Sequence, residues 1–164
     1  MKTSAAALAL LAAIALAGCA PTAPEPTPAP AESGACAGVE VVVDFGVLDA
    51  PSIDECVDAG PAADAVADAG VTTEGTVDWG DQIVCRVNDR PAADETVEVE
   101  GQEPFVEACQ SMPAATAYWS LWVKLSADGE WEYAQEGLST LELEPGQAVG
   151  LVYTTGTEST PPGS

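Results

Sequence analysis

Histidine is absent from this 164-residue sequence. That single absence removes imidazole acid/base catalysis, the serine and cysteine triads that use histidine, and the common zinc sites. Positive charge is nearly as scarce, with four Lys and Arg against 27 Asp and Glu and a formal charge of −23. Such a surface repels nucleic acid and bare anionic lipid, so neither is an expected partner. Two ordinary readings of the acid stay open: solubility of an exported protein, or a salty habitat in which ions screen dense carboxylates. No Asp-x-Asp-x-Asp-Gly loop and no Cys-x-x-Cys pair occurs, which argues against an EF-hand type of calcium site and against a redox dithiol. Aromatics make up only 5% of the chain, yet residues 118–153 hold three of the four Trp and all three Tyr.

The chain also lacks an apolar run long enough to span a bilayer. Met1 and Lys2 give a short positive start, and residues 5–17 are almost uninterruptedly apolar, a length that suits a signal peptide over residues 1–18. Leu16-Ala17-Gly18-Cys19 closes the run and resembles the bacterial lipobox, in which the cysteine is acylated and becomes the mature N-terminus. Cys19 is therefore the expected lipidation site, and acyl chains would hold the protein at the outer face of a cell membrane. An ordinary cleavage site with an incidental cysteine is the competing reading. Residues 19–35 follow, with Pro21, Pro24, Pro26, Pro28 and Pro30 among Ala, Thr and Glu. Proline at this density favours an extended, solvated spacer.

The folded part is expected over residues 36–153, with a disordered tail over 154–164. Val39, Val41, Val43 and Phe45 alternate with Glu40, Val42 and Asp44, a first strand that residues 52–57 can pair with on their return. Residues 60–70 begin Gly60-Pro61, continue Ala-rich and end at Gly70, which makes a short helix with Asp64 and Asp68 outward and Ala62, Val66 and Ala69 inward. Residues 76–87 read as one or two strands, with Val77 and Trp79 sharing one side and Ile83, Cys85 and Val87 sharing one side. Val97 and Val99 suggest a brief exposed strand, and residues 102–115 a loop. Trp119, Leu121, Val123 and Leu125 fall at period two, with Tyr118, Ser120, Trp122 and Lys124 on the other face. Asp128-Gly129 then turns the chain into Trp131-Glu132-Tyr133, so the two runs form an aromatic hairpin. Pro145-Gly146 marks a turn before a last strand with Val149, Leu151 and Tyr153 on one face. The expected class is α+β, a mixed sheet packed on one short helix.

Apart from Cys19, the cysteines are Cys36, Cys56, Cys85 and Cys109. Four thiols in an exported domain imply two disulfides with three connectivities. Pairing Cys36 with Cys56 would staple the first hairpin, and pairing Cys85 with Cys109 would tie the long loop to a core strand; this is the favoured arrangement.

In this order the pieces resemble the transcobalamin-like C-terminal domain, a β-grasp module of animal cobalamin carriers and bacterial surface proteins. The resemblance covers roughly residues 39–153 and rests on the Ala-rich helix of residues 61–69, Trp79-Gly80 with Ile83 and Val87-Asn88, Tyr118-Trp119-Ser120, and Gly137 with Glu144-Pro145-Gly146. Val42-Val43-Asp44-Phe45-Gly46, Cys85-Arg86-Val87 with Arg90-Pro91, and Tyr118-Trp119-Ser120-Leu121-Trp122 with Gly129-x-Trp131-x-Tyr133 are similar to a group of secreted actinobacterial proteins with that domain. The resemblance implies a sheet gripping one helix and contact with one side of a corrinoid. The family's Asn-Gly turn is Asn88-Asp89 here. The carriers close over cobalamin with a second, helical domain, so half a site implies weak binding unless another protein supplies the rest.

The expectation for function is a non-catalytic small-ligand-binding module working beside an importer. Its ligand would be corrinoid or cobalamin-like, with no other cofactor and no metal. Tyr118, Trp122, Trp131 and Tyr133 are the candidate ligand platforms, because flat aromatic faces suit apolar or ring-bearing ligands. Trp119, out of phase with them, is expected in the core, and core filling is the competing reading for the rest. The alternative function is an envelope protein-interaction or adhesive module. An enzyme is not expected, since without histidine catalysis would need paired carboxylates in a cleft. Substituting Cys19→Ser should move the chain from the membrane fraction to the soluble one and remove the acyl mass from its N-terminal peptide in mass spectrometry; an unacylated wild-type product would refute the lipobox reading.

Overall fold

Period-two valines make the first strand, and its pairing organises the rest. In the computed structural model, which describes residues 36–156 and 158–163, β1 (Val39–Asp44) buries Val39, Val41 and Val43 and turns Glu40, Val42 and Asp44 the other way. The signal peptide over 1–18, Cys19 and the linker as far as residue 35 lie outside the described residues. β2 (Ile53–Val57) returns antiparallel to β1 with Val43 opposite Ile53, as the sequence suggests. Then come β3 (Gly60–Pro61), α1 (Ala62–Asp68), β4 (Thr73–Thr76), β5 (Gly80–Val87), β6 (Thr96–Val97), β7 (Phe105–Val106), β8 (Ala117–Lys124), β9 (Glu132–Tyr133), β10 (Glu142–Leu143) and β11 (Ala148–Thr155). The class is α+β, mostly strands with one short helix. Five strands form a mixed sheet in the order β2-β1-β11-β8-β9, with β11 parallel to β1 and every other neighbour antiparallel. Three two-stranded ribbons, β3 with β10, β4 with β5 and β6 with β7, surround it.

Register places the core. Val41 lies opposite Val149 and Val43 opposite Leu151, while Tyr153 lies opposite Trp119 across the next ladder. These side chains share one face, and α1 adds Ala62, Ala65 and Val66 to the same buried cluster. Asp64 and Asp68 remain exposed. Trp119 is a core residue: its ring meets Phe45 edge-on at 5.4 Å and Tyr153 at 5.3 Å, and its indole N–H donates to the Arg90 carbonyl at 3.1 Å. Edge-to-face packing and a satisfied donor are what a buried Trp requires.

The opposite face is covered too, which corrects the expectation that Trp122 faces outward. Trp122 is 9% exposed, and its indole N–H donates to Ser120 Oγ at 3.0 Å. Ser120 Oγ in turn reaches the Val152 carbonyl and Thr154 Oγ1, each at 3.0 Å, and Thr154 Oγ1 reaches Ser159 Oγ at 3.0 Å. This chain of hydroxyls satisfies the polar atoms that the second face buries. Gly150 is needed below it, because a Cβ there would lie 2.4 Å from Pro162 Cγ and 3.2 Å from the Trp131 ring. The expected disordered tail over 154–164 is corrected accordingly: Thr154 and Thr155 continue β11, and Pro162 is buried over Gly150.

Other expectations shift for local reasons. α1 starts at Ala62 because Pro61, with φ −54° and ψ 133°, is extended and pairs with Glu142. Val77 and Trp79 are not in a strand; Thr76 Oγ1 accepts from the Trp79 N–H at 3.2 Å and closes a turn that leaves them 73% and 49% exposed. Val97 and Val99 are buried rather than exposed, and β6 gains a partner, β7, inside the segment read as a loop. Leu125 lies just past the end of β8 and is 61% exposed. Asn88 and Asp89 both take left-handed angles, φ 48° and 58°, so Asp serves in this turn as Asn and Gly do elsewhere.

Two disulfides join Cys36 to Cys56 and Cys85 to Cys109, each with 5.7 Å between Cα atoms. Two arginines brace the loops between them. Arg86 is buried and donates to the Pro91 and Glu107 carbonyls and to Glu74 Oε1, each at 2.8 Å. Arg90 holds Glu95 through two donors, at 2.8 and 2.6 Å, and also donates to the Leu48 carbonyl. The Arg90 hydrogen bond lowers the Glu95 carboxyl below its ordinary range. Replacing Cys85 and Cys109 together by Ala, which opens a loop of separation 24, should cost roughly 3 kcal/mol in urea denaturation. An unchanged midpoint would show that the bridge adds nothing to stability.

Candidate functional site

A cavity of about 620 Å³ lies between β5 and the outer edge of β8. Gln82, Ile83 and Val84 of β5 form one wall, and Tyr118, Trp119 and Leu121 of β8 form the other. Residues 112–115 close one end, and residues 133–138 close the other. β8 reaches this position because β11 pairs with it along all eight of its residues. The far end is tight at Gly137, where a Cβ would lie 2.9 Å from the Gln82 carbonyl oxygen. Glycine is what lets this backbone approach β5.

The four aromatic candidates are divided between two places. Tyr118 and Tyr133 line the cavity. Burial, and then a hydrogen bond with Tyr118, raise the Tyr133 phenol well above its ordinary value. Trp122 stands behind Tyr133, edge to face at 5.2 Å, and offers it support rather than a free face. Trp131 is on the second sheet face, against Gly150, with the Lys124 ammonium 4.8 Å from its ring centroid. Trp122 and Trp131 therefore do not line this cavity, unlike the other two candidates. Met112, Gln82, Ile83, Gln135 and Glu136 were not anticipated, since a cavity made by the approach of β5 to β8 leaves no local period to read. Gly137 was the available sign, being a glycine in a segment without a turn partner.

Electrostatics narrow what the cavity can hold. Arg86 is engaged by Glu74, Arg90 by Glu95, and Lys124 by Glu40 at 3.0 Å. None of these three cations lines the cavity, whereas Glu136 does. An anionic ligand would meet no counter-charge there, and buried charge without a partner is costly. The remaining lining is apolar apart from the Gln82 and Gln135 amides and the two phenols. Among the described residues, the one cluster with ligand-type spacing, Cys85, Glu107 and Cys109, does not serve a metal, because its two sulfurs are bonded to each other and thiolates are what bind metal. A smaller hollow of about 370 Å³ is lined by Phe45, Ile53, Asn88 and Arg90 among others, with Arg90 already committed to Glu95.

No family model, curated protein or solved structure matches this chain. Among the described residues, no helix is long and apolar enough to cross a membrane.

Tyr153, in the core beneath this site, has its phenol pushed up to about 12 by burial first and then by the carboxylates of Glu107 and Glu95. A raised tyrosine means that the folded state holds its proton more tightly than the unfolded chain. Its contribution to stability is complete below about pH 10, where an unfolded tyrosine ionises, and is lost as pH climbs toward the folded value. Circular dichroism should show alkaline unfolding in that window, moved to higher pH by Tyr153→Phe. An unchanged alkaline limb in that variant would assign the transition to other groups.

Proposed function

We propose that this chain is a non-catalytic binding module of the outer cell surface, of transcobalamin-like β-grasp type, tethered through Cys19 and taking its ligand between β5 and β8. The β-grasp reading draws support from a first strand lying parallel to the last at the centre of the sheet, flanked by antiparallel strands, with the helix following the first hairpin. The observation that carries the binding reading is the cavity of about 620 Å³, apolar for most of its lining and bordered by two phenols. Its size falls in the range of ligand pockets, and convergent polar groups in an apolar hollow are what such sites offer.

A ring-bearing small ligand of the corrinoid class fits this reading, with Tyr118 and Tyr133 as its contacts. A site open on one side would hold part of such a molecule, and an importer subunit would supply the rest. A second reading, an envelope protein as the partner, is favoured by exposed Trp79 and Met112, the latter on the cavity's border. Equilibrium dialysis of the purified full-length chain against cobalamin tests the first reading. Retention at high-micromolar ligand, weakened several-fold by Tyr118→Ala or Tyr133→Ala, is the expected outcome, on the order of the loss of one aromatic contact each. Free passage of cobalamin across the membrane would remove the corrinoid version.

A further inference from the structure

We infer that the cavity between β5 and β8 captures an extended, basic segment of a partner polypeptide, which adds to the sheet as a strand beside β8. This rests on the reading of that cavity as the binding site and names its occupant. β8 is paired with β11 over its full length, but on its other side β9 pairs only with Trp122 and Val123, followed by the Ala134 N–H donating to the Leu121 carbonyl at 2.9 Å. Residues 118–120 therefore have no strand on that side among the described residues. β5 pairs with β4, and of its residues Val87 alone has a further bridge, to Arg90, so residues 82–84 have no strand on their other side among the described residues. The cavity lies between these two strands and extends over the face of β8 to Leu151 of β11.

The other border of the same sheet shows what a guarded edge looks like. β2 carries Asp54 and Glu55, both exposed, and charged side chains on an edge strand discourage further pairing. Over residues 118–121 the corresponding side chains are Tyr, Trp, Ser and Leu, and Ile83 and Val84 face them from β5. An uncharged edge next to an apolar hollow is the arrangement by which peptides are taken up through their backbone, with alternate side chains filling pockets. Residues 118–121 match a segment of about four residues, at roughly 3.3 Å each.

Charge selects among possible strands. A second copy of this chain would bring another −23 to the contact and is repelled. Lysine or arginine on the incoming segment would instead meet Glu136 on the lining and exposed Asp81 next to Gln82. The partner is thus a basic polypeptide presenting alternating apolar residues.

The test uses the purified full-length chain and a capped peptide of alternating lysine and valine. Two controls accompany it: the same peptide N-methylated at alternate residues, which keeps charge and side chains but loses backbone donors on one edge, and a version with glutamate for lysine. Calorimetric titration should show binding that weakens by about tenfold or more on N-methylation and again on charge reversal. Hydrogen exchange should slow at the Trp119 amide in the complex, since residues 119 and 121 turn their backbone groups to the side on which the Leu121 carbonyl meets Ala134, whereas 118 and 120 turn theirs to β11. Equal binding of the methylated peptide would reduce the effect to charge attraction and overturn the inference, as would unchanged exchange at that amide. Concentration-dependent dimers in sedimentation, with protection of the same amide, would assign the edge to a second copy. If the peptide fails while cobalamin is retained, strand capture is lost and the cavity remains a ligand site; if both fail, the binding reading falls with it.

Discussion

β11 lies between a parallel neighbour and an antiparallel one, and both its faces are dry from Ala148 to Thr154. A strand in that position must satisfy its backbone on two ladders and its side chains in two layers, which leaves little freedom elsewhere. On the helix side it takes Val149, Leu151 and Tyr153 against the valines of β1 and the ring of Trp119. On the other side it takes small or hydroxylated residues, with Gly150 under Pro162 and Trp131 and Thr154 in the hydroxyl chain from Trp122 to Ser159. Its full-length pairing with β8 in turn carries the aromatic strand to the cavity.

Positive charge is spent entirely on architecture among the described residues. Arg86 gathers the loops after β5 and β7, Arg90 ties the turn at Leu48 to Glu95, and Lys124 sits between Glu40 and the Trp131 ring. A planar guanidinium can address several carbonyls and a carboxylate at once, which explains why arginine holds the loop crossings. The acid that outnumbers these cations is left on the surface, where it sets which partners approach rather than how the chain folds.

Much of this was legible in the sequence where a pattern repeats locally. The period-two valines of β1, the Ala-rich α1, the Asp128-Gly129 hairpin and the nearest-neighbour cysteine pairs all stand as the sequence suggests. What escaped depends on contacts distant in sequence. Trp122 obeys the alternation of its strand, but alternation does not reveal that the second face would be roofed by residues 131 and 162. Val97 and Val99 look solvent-facing until β7 is seen beside β6. Of the aromatic candidates, Tyr118 and Tyr133 line the cavity, while the opposite wall on β5 could not be read, because nothing in residues 82–84 records what they face.

The bridge from Cys36 to Cys56 has a mechanical consequence. It joins the very entrance of the fold to the end of β2, on the strand that borders β1. Tension arriving along the backbone from before residue 36 is divided covalently between both strands of the hairpin, so β1 cannot be peeled away alone. The ladder between β1 and β11 then has to give by sliding, with its hydrogen bonds stressed together, and a parallel ladder loaded in that way yields at higher force than one unzipped from its end.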